Sequence, residues 1–279
     1  MTASTTTTTS TEYLLGHEAA ELARLEHQAS MLAPATRTIL ELAGIEPGMR
    51  VLDLGTGAGD VAFQVAELVG PAGSVVGVDQ SAKALGFAAH RAEQRGIANV
   101  SFVHEDLHTI RLAERFDAVV GRLVLLYLPE PAAVLRRFAG FVRPGGVIAM
   151  MEFEMAAAGT LPPTPLSDQM NYWVTEAFYR SGLDASLGAR LVKVLRHAGL
   201  GEPTVLGVQE YRQPDNRDGP RMASGILRTL LPVLERTGIA TAAEVDVDTI
   251  EDRLALDCVD HDAIFRLPTL VGAWARPAA

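Results

Sequence analysis

A single cysteine, Cys258, in 279 residues leaves no partner for an intramolecular disulfide and no thiolate set for a multi-cysteine zinc site. Set in Leu254-Ala255-Leu256-Asp257-Cys258, it reads as a packed thiol rather than a nucleophile. Basic residues are outnumbered: 24 Lys and Arg stand against 34 Asp and Glu, a formal charge of −10. Affinity for phosphate backbones comes largely from cations that displace counterions, so no nucleic-acid partner is expected. The clearest basic cluster, Arg190, Lys193, Arg196 and His197, has helical spacing and reads as a solvated helix face. No apolar stretch reaches the roughly 18 residues that cross a bilayer. The start lacks a basic region followed by an apolar core. No membrane partner is expected, and the reading is a cytoplasmic protein in a reducing compartment. No Pro/Gly/Ser-rich linker divides the chain, and 48% hydrophobic residues supply ample core, which favours one decorated α/β domain.

Residues 51 to 60 read Val-Leu-Asp-Leu-Gly-Thr-Gly-Ala-Gly-Asp, and Asp79 stands twenty positions after Gly59, closing the apolar run Val75-Val76-Gly77-Val78. Two buried strands, each ending in a carboxylate and joined by a glycine-rich turn and one helix, place a nucleotide site at the C-terminal edge of a parallel sheet. A dinucleotide fingerprint, Gly-x-Gly-x-x-Gly, opens a helix N-terminus onto a pyrophosphate. Here the glycines are Gly55, Gly57 and Gly59, and Asp60 stands where the fingerprint has its third glycine. A carboxylate there repels pyrophosphate, and Asp53 adds a second acid. The loop therefore suits a ligand carrying an ammonium and a sulfonium, and its spacing counts against a nicotinamide dehydrogenase.

In this motif the chain resembles the class I S-adenosylmethionine-dependent methyltransferases of the small-molecule type, whose first motif is acidic-x-Gly-x-Gly-x-Gly. The resemblance continues through Asp79, through Val100-Ser101-Phe102-Val103 followed by Glu105-Asp106-Leu107, through Phe116-Asp117, and through Arg143-Pro144-Gly145-Gly146. It spans roughly residues 45 to 155. It implies a doubly wound α/β fold of the Rossmann-like methyltransferase type, with seven mostly parallel strands, N-terminal helices and a helical cap, and S-adenosyl-L-methionine as cofactor.

The pattern along the chain agrees with that expectation. Residues 1–11, mostly threonine, read as a disordered leader, with Thr11 as N-cap and Glu12 in the first turn of the next helix. Leu15, Leu22, Leu25, Ala29 and Leu32 form its apolar stripe. Pro34 is expected to end that helix, and a second short one to run from Thr38 to Ala43, so that residues 12–45 hold the N-terminal helices. The cofactor core follows at 46–155. Strands are expected at 50–54, 74–78, 99–103, 117–120 and 146–152, with helices at 59–69, 81–95 and 130–141. Strand-helix alternation implies right-handed crossovers and a parallel sheet covered on both faces. Residues 156–184 and 214–262 fall outside it. They carry Met170, Trp173, Phe178, Met222 and many leucines, and read as cap insertions. Between them, Leu187 to His197 reads as a helix and Thr204 to Tyr211 as a strand. The last strand, 263–276, is broken by Pro268; the resemblance makes it antiparallel, with the second insertion between the final two strands.

The resemblance assigns site residues one by one. Gly55, Thr56 and Gly57 would hold the methionine moiety of the cofactor, with Asp53 at its ammonium. Asp79 would accept from both ribose hydroxyls, since an ionised carboxylate offers two acceptor oxygens. Gln80 and Leu107 would flank adenine, and Asp106, with Glu105 as rival, would accept from its amino group. Arg122 is placed to pair with a carboxylate of cofactor or substrate, or else to bond a loop carbonyl. Tyr13 and Gln28, on a helix that folds over the cofactor in such enzymes, are further contacts, although simple packing is an equal reading. Glu152 and Glu154 share a face at the exit of the fifth strand by period two, and Glu152 joins His17 and His261 as a candidate base. Asp257 and Asp262 flank His261.

The function expected is methyl transfer to a small, largely apolar metabolite on O, C or N, by in-line displacement promoted mainly by proximity. No metal is required, and a homodimer stays open. The Asn-Pro-Pro-Tyr type motif of amino-methylating DNA enzymes is absent, because Gly121-Arg122-Leu123-Val124 stands there instead. The competing reading keeps the cofactor pocket for a non-methylating reaction such as a cyclisation.

Overall fold

The computed structural model describes residues 19–277 of the chain. The threonine-rich leader, the Thr11 cap, Tyr13 and His17 lie outside them. In chain order the elements are α1 (Ala19–Ala43), β1 (Arg50–Leu54), α2 (Asp60–Val69), β2 (Ser74–Asp79), α3 (Ala82–Gln94), β3 (Val100–His104), β4 (Phe116–Arg122), α4 (Pro131–Ala139) and β5 (Val142–Glu154). There follow β6 (Gly159–Leu161), α5 (Pro165–Arg180), α6 (Leu187–His197), β7 (Thr204–Val208), β8 (Tyr211–Arg212), α7 (Asp218–Thr237), α8 (Ala242–Val245), α9 (Ile250–Asp260), β9 (Ile264–Arg266) and β10 (Thr269–Ala275).

Seven strands form the main sheet in the order β3-β2-β1-β4-β5-β10-β7, parallel from β3 to β5 and antiparallel at β10 against both its neighbours. Successive side chains of a strand face opposite ways, and here both faces are buried. Val51, Val75, Ala118, Val120 and Met151 pack under α1 and α2, whereas Leu52, Leu54, Val119, Ile148 and Met150 pack under α4 and α6. That is why these strands read as continuous apolar runs rather than alternations. Each fully buried leucine or valine contributes roughly 1.5–3 kcal/mol.

The break expected at Pro34 is corrected, and the strands expected at 263–276 and 204–211 are each resolved into two. Pro34 does not end the first helix: α1 runs unbroken to Ala43 with Pro34 inside it. An interior proline costs about 3 kcal/mol, but Leu32, Ala35, Ile39, Leu40 and Ala43 bury on both sides of it, and together they outweigh that cost. Near the C-terminus, Pro268 divides two strands that belong to different sheets. β9 joins β6 and β8 in a small antiparallel sheet, while β10 enters the main one. Proline has no N–H for a ladder, so the chain crosses between sheets at that point. The 204–211 strand divides likewise, β7 in the main sheet and β8 in the small one.

Helices α5, α7 and α9 together with strand β9 supply a separate apolar cluster, built on Trp173, Val174, Leu227, Leu230, Leu254 and Phe265. Cys258 is buried in it, and burial pushes its thiol pKa up. This cluster sits over the C-terminal end of the sheet, because Met155 at the exit of β5 packs into it.

Candidate functional site

The turn after β1 is possible because glycine tolerates positive φ without a Cβ penalty. Gly55 and Gly57 have φ of 63° and 52°. The Thr56 amide donates to the Val78 carbonyl at 3.0 Å, and that of Gly59 to the Thr56 carbonyl at 2.9 Å. Asp79 completes the cradle: Oδ2 accepts from the Gly57 amide at 2.9 Å and Oδ1 from the Ser81 amide at 2.8 Å. A Cβ on Gly55 would lie 2.8 Å from Val124 Cβ, whereas one on Gly57 would meet only the Gly55 carbonyl at 4.0 Å. Gly55 is therefore needed for packing, and Gly57 keeps the cavity wall open.

Beneath the loop sits Asp53, 1% exposed, with neither carboxylate oxygen hydrogen-bonded within 3.5 Å among the described residues. Burial pushes its pKa up to about 7; Thr56 and the Arg122 guanidinium pull against that rise, and Asp79 and Asp60 add to it. A buried carboxylate without donors is costly, and an ammonium reaching through the loop would satisfy it. The buried Thr56 hydroxyl lies close enough to Asp53 to lower its pKa, but among the described residues it closes no hydrogen bond within 3.5 Å. Arg122, at the end of β4, donates to Thr36 Oγ1 at 2.9 Å rather than to a loop carbonyl. Burial lowers its pKa, while Asp60 and Asp53 favour its charge. Among the described residues it has no ion pair closer than 4 Å. These features fit an amino-acid group: an acid for its ammonium, a guanidinium for its carboxylate.

Glu152, near the end of β5, is 1% exposed, and its Oε1 accepts from the amides of Val124 at 3.0 Å and Leu125 at 2.7 Å. It thereby holds the turn after β4, where Leu123 has φ 56°, a conformation uncommon outside glycine. Burial raises its pKa to about 8 against those amide bonds, and Asp184 adds to the rise. Glu154, its neighbour by period two, accepts from Ser186 Oγ and the Ala156 amide, so it splices β5 to the segment before α6.

A cavity borders the glycine loop, with Asp53 and Asp79 outside its lining. Gly55, Thr56, Gly57, Asp60, Arg122 and Glu152 line its sheet side, and the opposite wall is Leu32 from α1, Phe178 from α5, and Ile226 and Leu230 from α7. Apart from these groups, Tyr127 and Asp184, the lining is apolar.

Other expected residues are not on this wall. Gln80 and Asp106 are exposed, and Leu107 packs in the core. Asp106 Oδ1 caps its own turn by accepting from the His108 amide at 2.7 Å. They do neighbour Asp79 along the sheet edge, since the Glu105 amide donates to the Asp79 carbonyl. Gln28 falls within α1, but its side chain is not among those described. His261 is exposed at the end of α9, with Nδ1 2.9 Å from the Asp257 carbonyl, and is not among the residues that line the cavity. The Asp257 carboxylate is shared: Oδ1 lies 3.3 Å from His261 Nδ1, and Oδ2 accepts from Thr164 Oγ1. The acid and imidazole on this helix end bond locally, with the His261 ring exposed and Asp257 largely covered.

Two groups at the site were not foreseen. Arg91, on α3 and buried, pairs with Asp60 Oδ1 at 2.9 Å and donates to the Ala58 carbonyl at 2.6 Å, with its guanidinium 5.3 Å from the Phe63 ring centroid. It anchors the acid at the mouth of α2 from outside the cavity. Asp184 lines the cavity while paired to Arg190 at 2.9 Å. Nothing in the local spacing of either residue marks it.

Comparison with known proteins places this geometry. A family model described as "Methyltransferase domain" matches residues 45–199. The chain is 45% identical over 107 residues to an arsenite methyltransferase of Aquipseudomonas alcaligenes, covering 36% of this chain and 31% of that one. It is 35% identical over 159 residues to the aklanonic acid methyltransferase DauC of Streptomyces sp. (strain C5), covering 53% of this chain and 72% of that one. Among solved structures, the [4+2]-cyclase SpnF is similar with TM-score 0.51 and 21% identity, over 88% of this chain and 82% of that one, a likeness of fold.

Proposed function

The chain belongs to the methyltransferase-domain family, and from that premise we propose that it transfers the methyl group of S-adenosylmethionine to a small, largely apolar metabolite. One observation carries the reading: the glycine loop and the apolar cap face a single cavity, so donor and acceptor sites are contiguous. The cofactor, when bound, supplies an electrophilic methyl on a sulfonium. Asp53, Gly55, Thr56 and Gly57 would hold its amino-acid end, with Arg122 at the carboxylate. Asp79 would bind the ribose. Gln80, Asp106 and Leu107 would receive adenine along the sheet edge beyond the enclosed cavity.

The chain's contribution to rate is then chiefly positional. Holding two reactants at attack distance supplies up to roughly 7–11 kcal/mol, and the apolar walls formed by Phe178, Ile226 and Leu230 exclude water. Glu152 is the polar group placed to meet the acceptor from the sheet side. With its pKa near 8 it is a hydrogen-bond donor at neutral pH and takes up an acceptor proton as the pH rises. Residues 156–184 and 214–262 act as the cap of one catalytic unit, in the cytoplasm and without nucleic acid, as a monomer or homodimer.

Incubation with labelled S-adenosylmethionine and a metabolite panel tests the reaction. Labelled product from an apolar acceptor is expected. Cofactor binding with no transfer to any acceptor would instead favour a cyclisation-type role, and absence of binding by S-adenosylhomocysteine would overturn the site itself.

A further inference from the structure

Met155 and Ile226 each border two cavities. The first is the one already described. The second lies behind it, among α5, α7 and β9, with Met170, Val174, Met222, Ala223, Phe265 and Leu267 in its wall. Its polar neighbour Asn171 is engaged, donating through Nδ2 to the Ala156 and Ala158 carbonyls. The chamber therefore offers apolar surface and no free charge.

Protein interiors are close-packed, and unfilled apolar volume costs stability. The chamber measures only about 20 Å³, little more than room for one water-sized sphere, so a longer occupant enters only as the unbranched Met155, Met170 and Met222 turn aside. The two residues on the partition suit an adjustable passage. Met155 is unbranched, with three rotatable bonds. Ile226 is half-buried on the inward face of α7, one turn before Leu230, which lines the first cavity.

We propose that the acceptor is an elongated apolar molecule whose reacting end lies beside Glu152 and whose tail passes between Met155 and Ile226 into the chamber formed by α5, α7 and β9. The proposal rests on the functional reading only for the position of the reacting end. The chamber selects for length; the first cavity selects for chemistry.

The test uses the full chain with S-adenosylhomocysteine and a series of para-alkylphenols, from 4-methylphenol to 4-heptylphenol, with binding read by calorimetry. Affinity in the parent protein is expected to rise about fourfold per methylene until the chamber is filled. In Ile226→Trp, which crowds the first cavity as well as the passage, 4-methylphenol binding is expected to weaken and the rise to stop after the first few carbons. In Ala223→Leu, which narrows the far chamber alone, it is expected to stop at a longer chain. A thermal melt checks each variant, and Ala223→Leu carries the test if Ile226→Trp does not fold. The same gain per methylene in parent and variants, or no gain in the parent, overturns the proposal. A normal length series from a protein that transfers no methyl group would refute the reaction and keep the chamber.

Discussion

The Gly57 amide donates to Asp79 Oδ2 at 2.9 Å, so the acid that closes β2 also fixes the glycine loop that follows β1. The two strands lie side by side in register, Leu54 against Val78, which brings the loop and the acid together. On the proposed function Asp79 would serve cofactor binding twice, through its own oxygens and through the loop it shapes.

Asp79→Ala removes the acceptors for both the Gly57 and the Ser81 amides. Hydrogen bonds to charged groups contribute about 1.5–3 kcal/mol each. Affinity for S-adenosylhomocysteine is expected to fall more than about tenfold, which corresponds to about 1.4 kcal/mol. The melting temperature should fall by several degrees even without ligand. Calorimetry and a thermal melt measure the two effects, and an unchanged affinity would remove Asp79 from the site.

Two glycine substitutions separate packing from binding. Gly55→Ala drives a methyl group into Val124 at a positive φ and is expected to destabilise by roughly 1–3 kcal/mol. Gly57→Ala also strains a positive φ, by roughly 1–2 kcal/mol, but its Cβ meets no side chain and projects at the cavity. Denaturant unfolding should show the larger loss for Gly55→Ala. For Gly57→Ala the affinity for S-adenosylhomocysteine should fall more than the stability loss alone explains.

Stability should fall with rising pH because two buried acids keep their protons in the folded state. The unfolded chain sheds them near their ordinary values of 3.8 and 4.5; the folded protein holds them to about 7 at Asp53 and about 8 at Glu152. Their contribution is complete below pH 4 and is lost as the pH climbs through 7 and 8. Glu152→Gln retains an oxygen for the Val124 and Leu125 amides but cannot ionise. Its melting temperature is expected to decline less than the parent's between pH 5 and pH 9. Identical slopes would argue against the raised pKa.

Binding of a ligand ammonium beside Asp53 favours the charged carboxylate, so S-adenosylhomocysteine should release protons on binding near pH 7. Calorimetry in buffers of different ionisation enthalpy counts them. Asp53→Asn should abolish that share of the release and weaken binding. Equal proton release from parent and variant would place the ammonium elsewhere.

Much of the sheet is legible in the chain because its signals are local. Buried strands appear as the runs around Val51 and Val75, and turns as glycine. The carboxylates Asp53 and Asp79 fall at strand ends that the alternation locates. Pro34 misleads for the opposite reason: its local preference is overruled by the burial of Ile39 and Leu40 against the sheet. The pairing of β6 with β9 is likewise hidden, since Thr160 and Phe265 are far apart in sequence and neither strand exceeds three residues.

The sequence determined the alternating α/β plan, the glycine turn and the acids at its rim, because propensity, period and turn chemistry act over a few residues. Only the tertiary structure decided that Glu152 braces the Val124–Leu125 turn, that Arg91 anchors Asp60 and that His261 faces solvent. Those roles depend on burial and on partners that distant segments contribute. A side chain's charge, hydrogen bonds and reach are set by whatever the fold packs against it, and no local pattern records that neighbourhood.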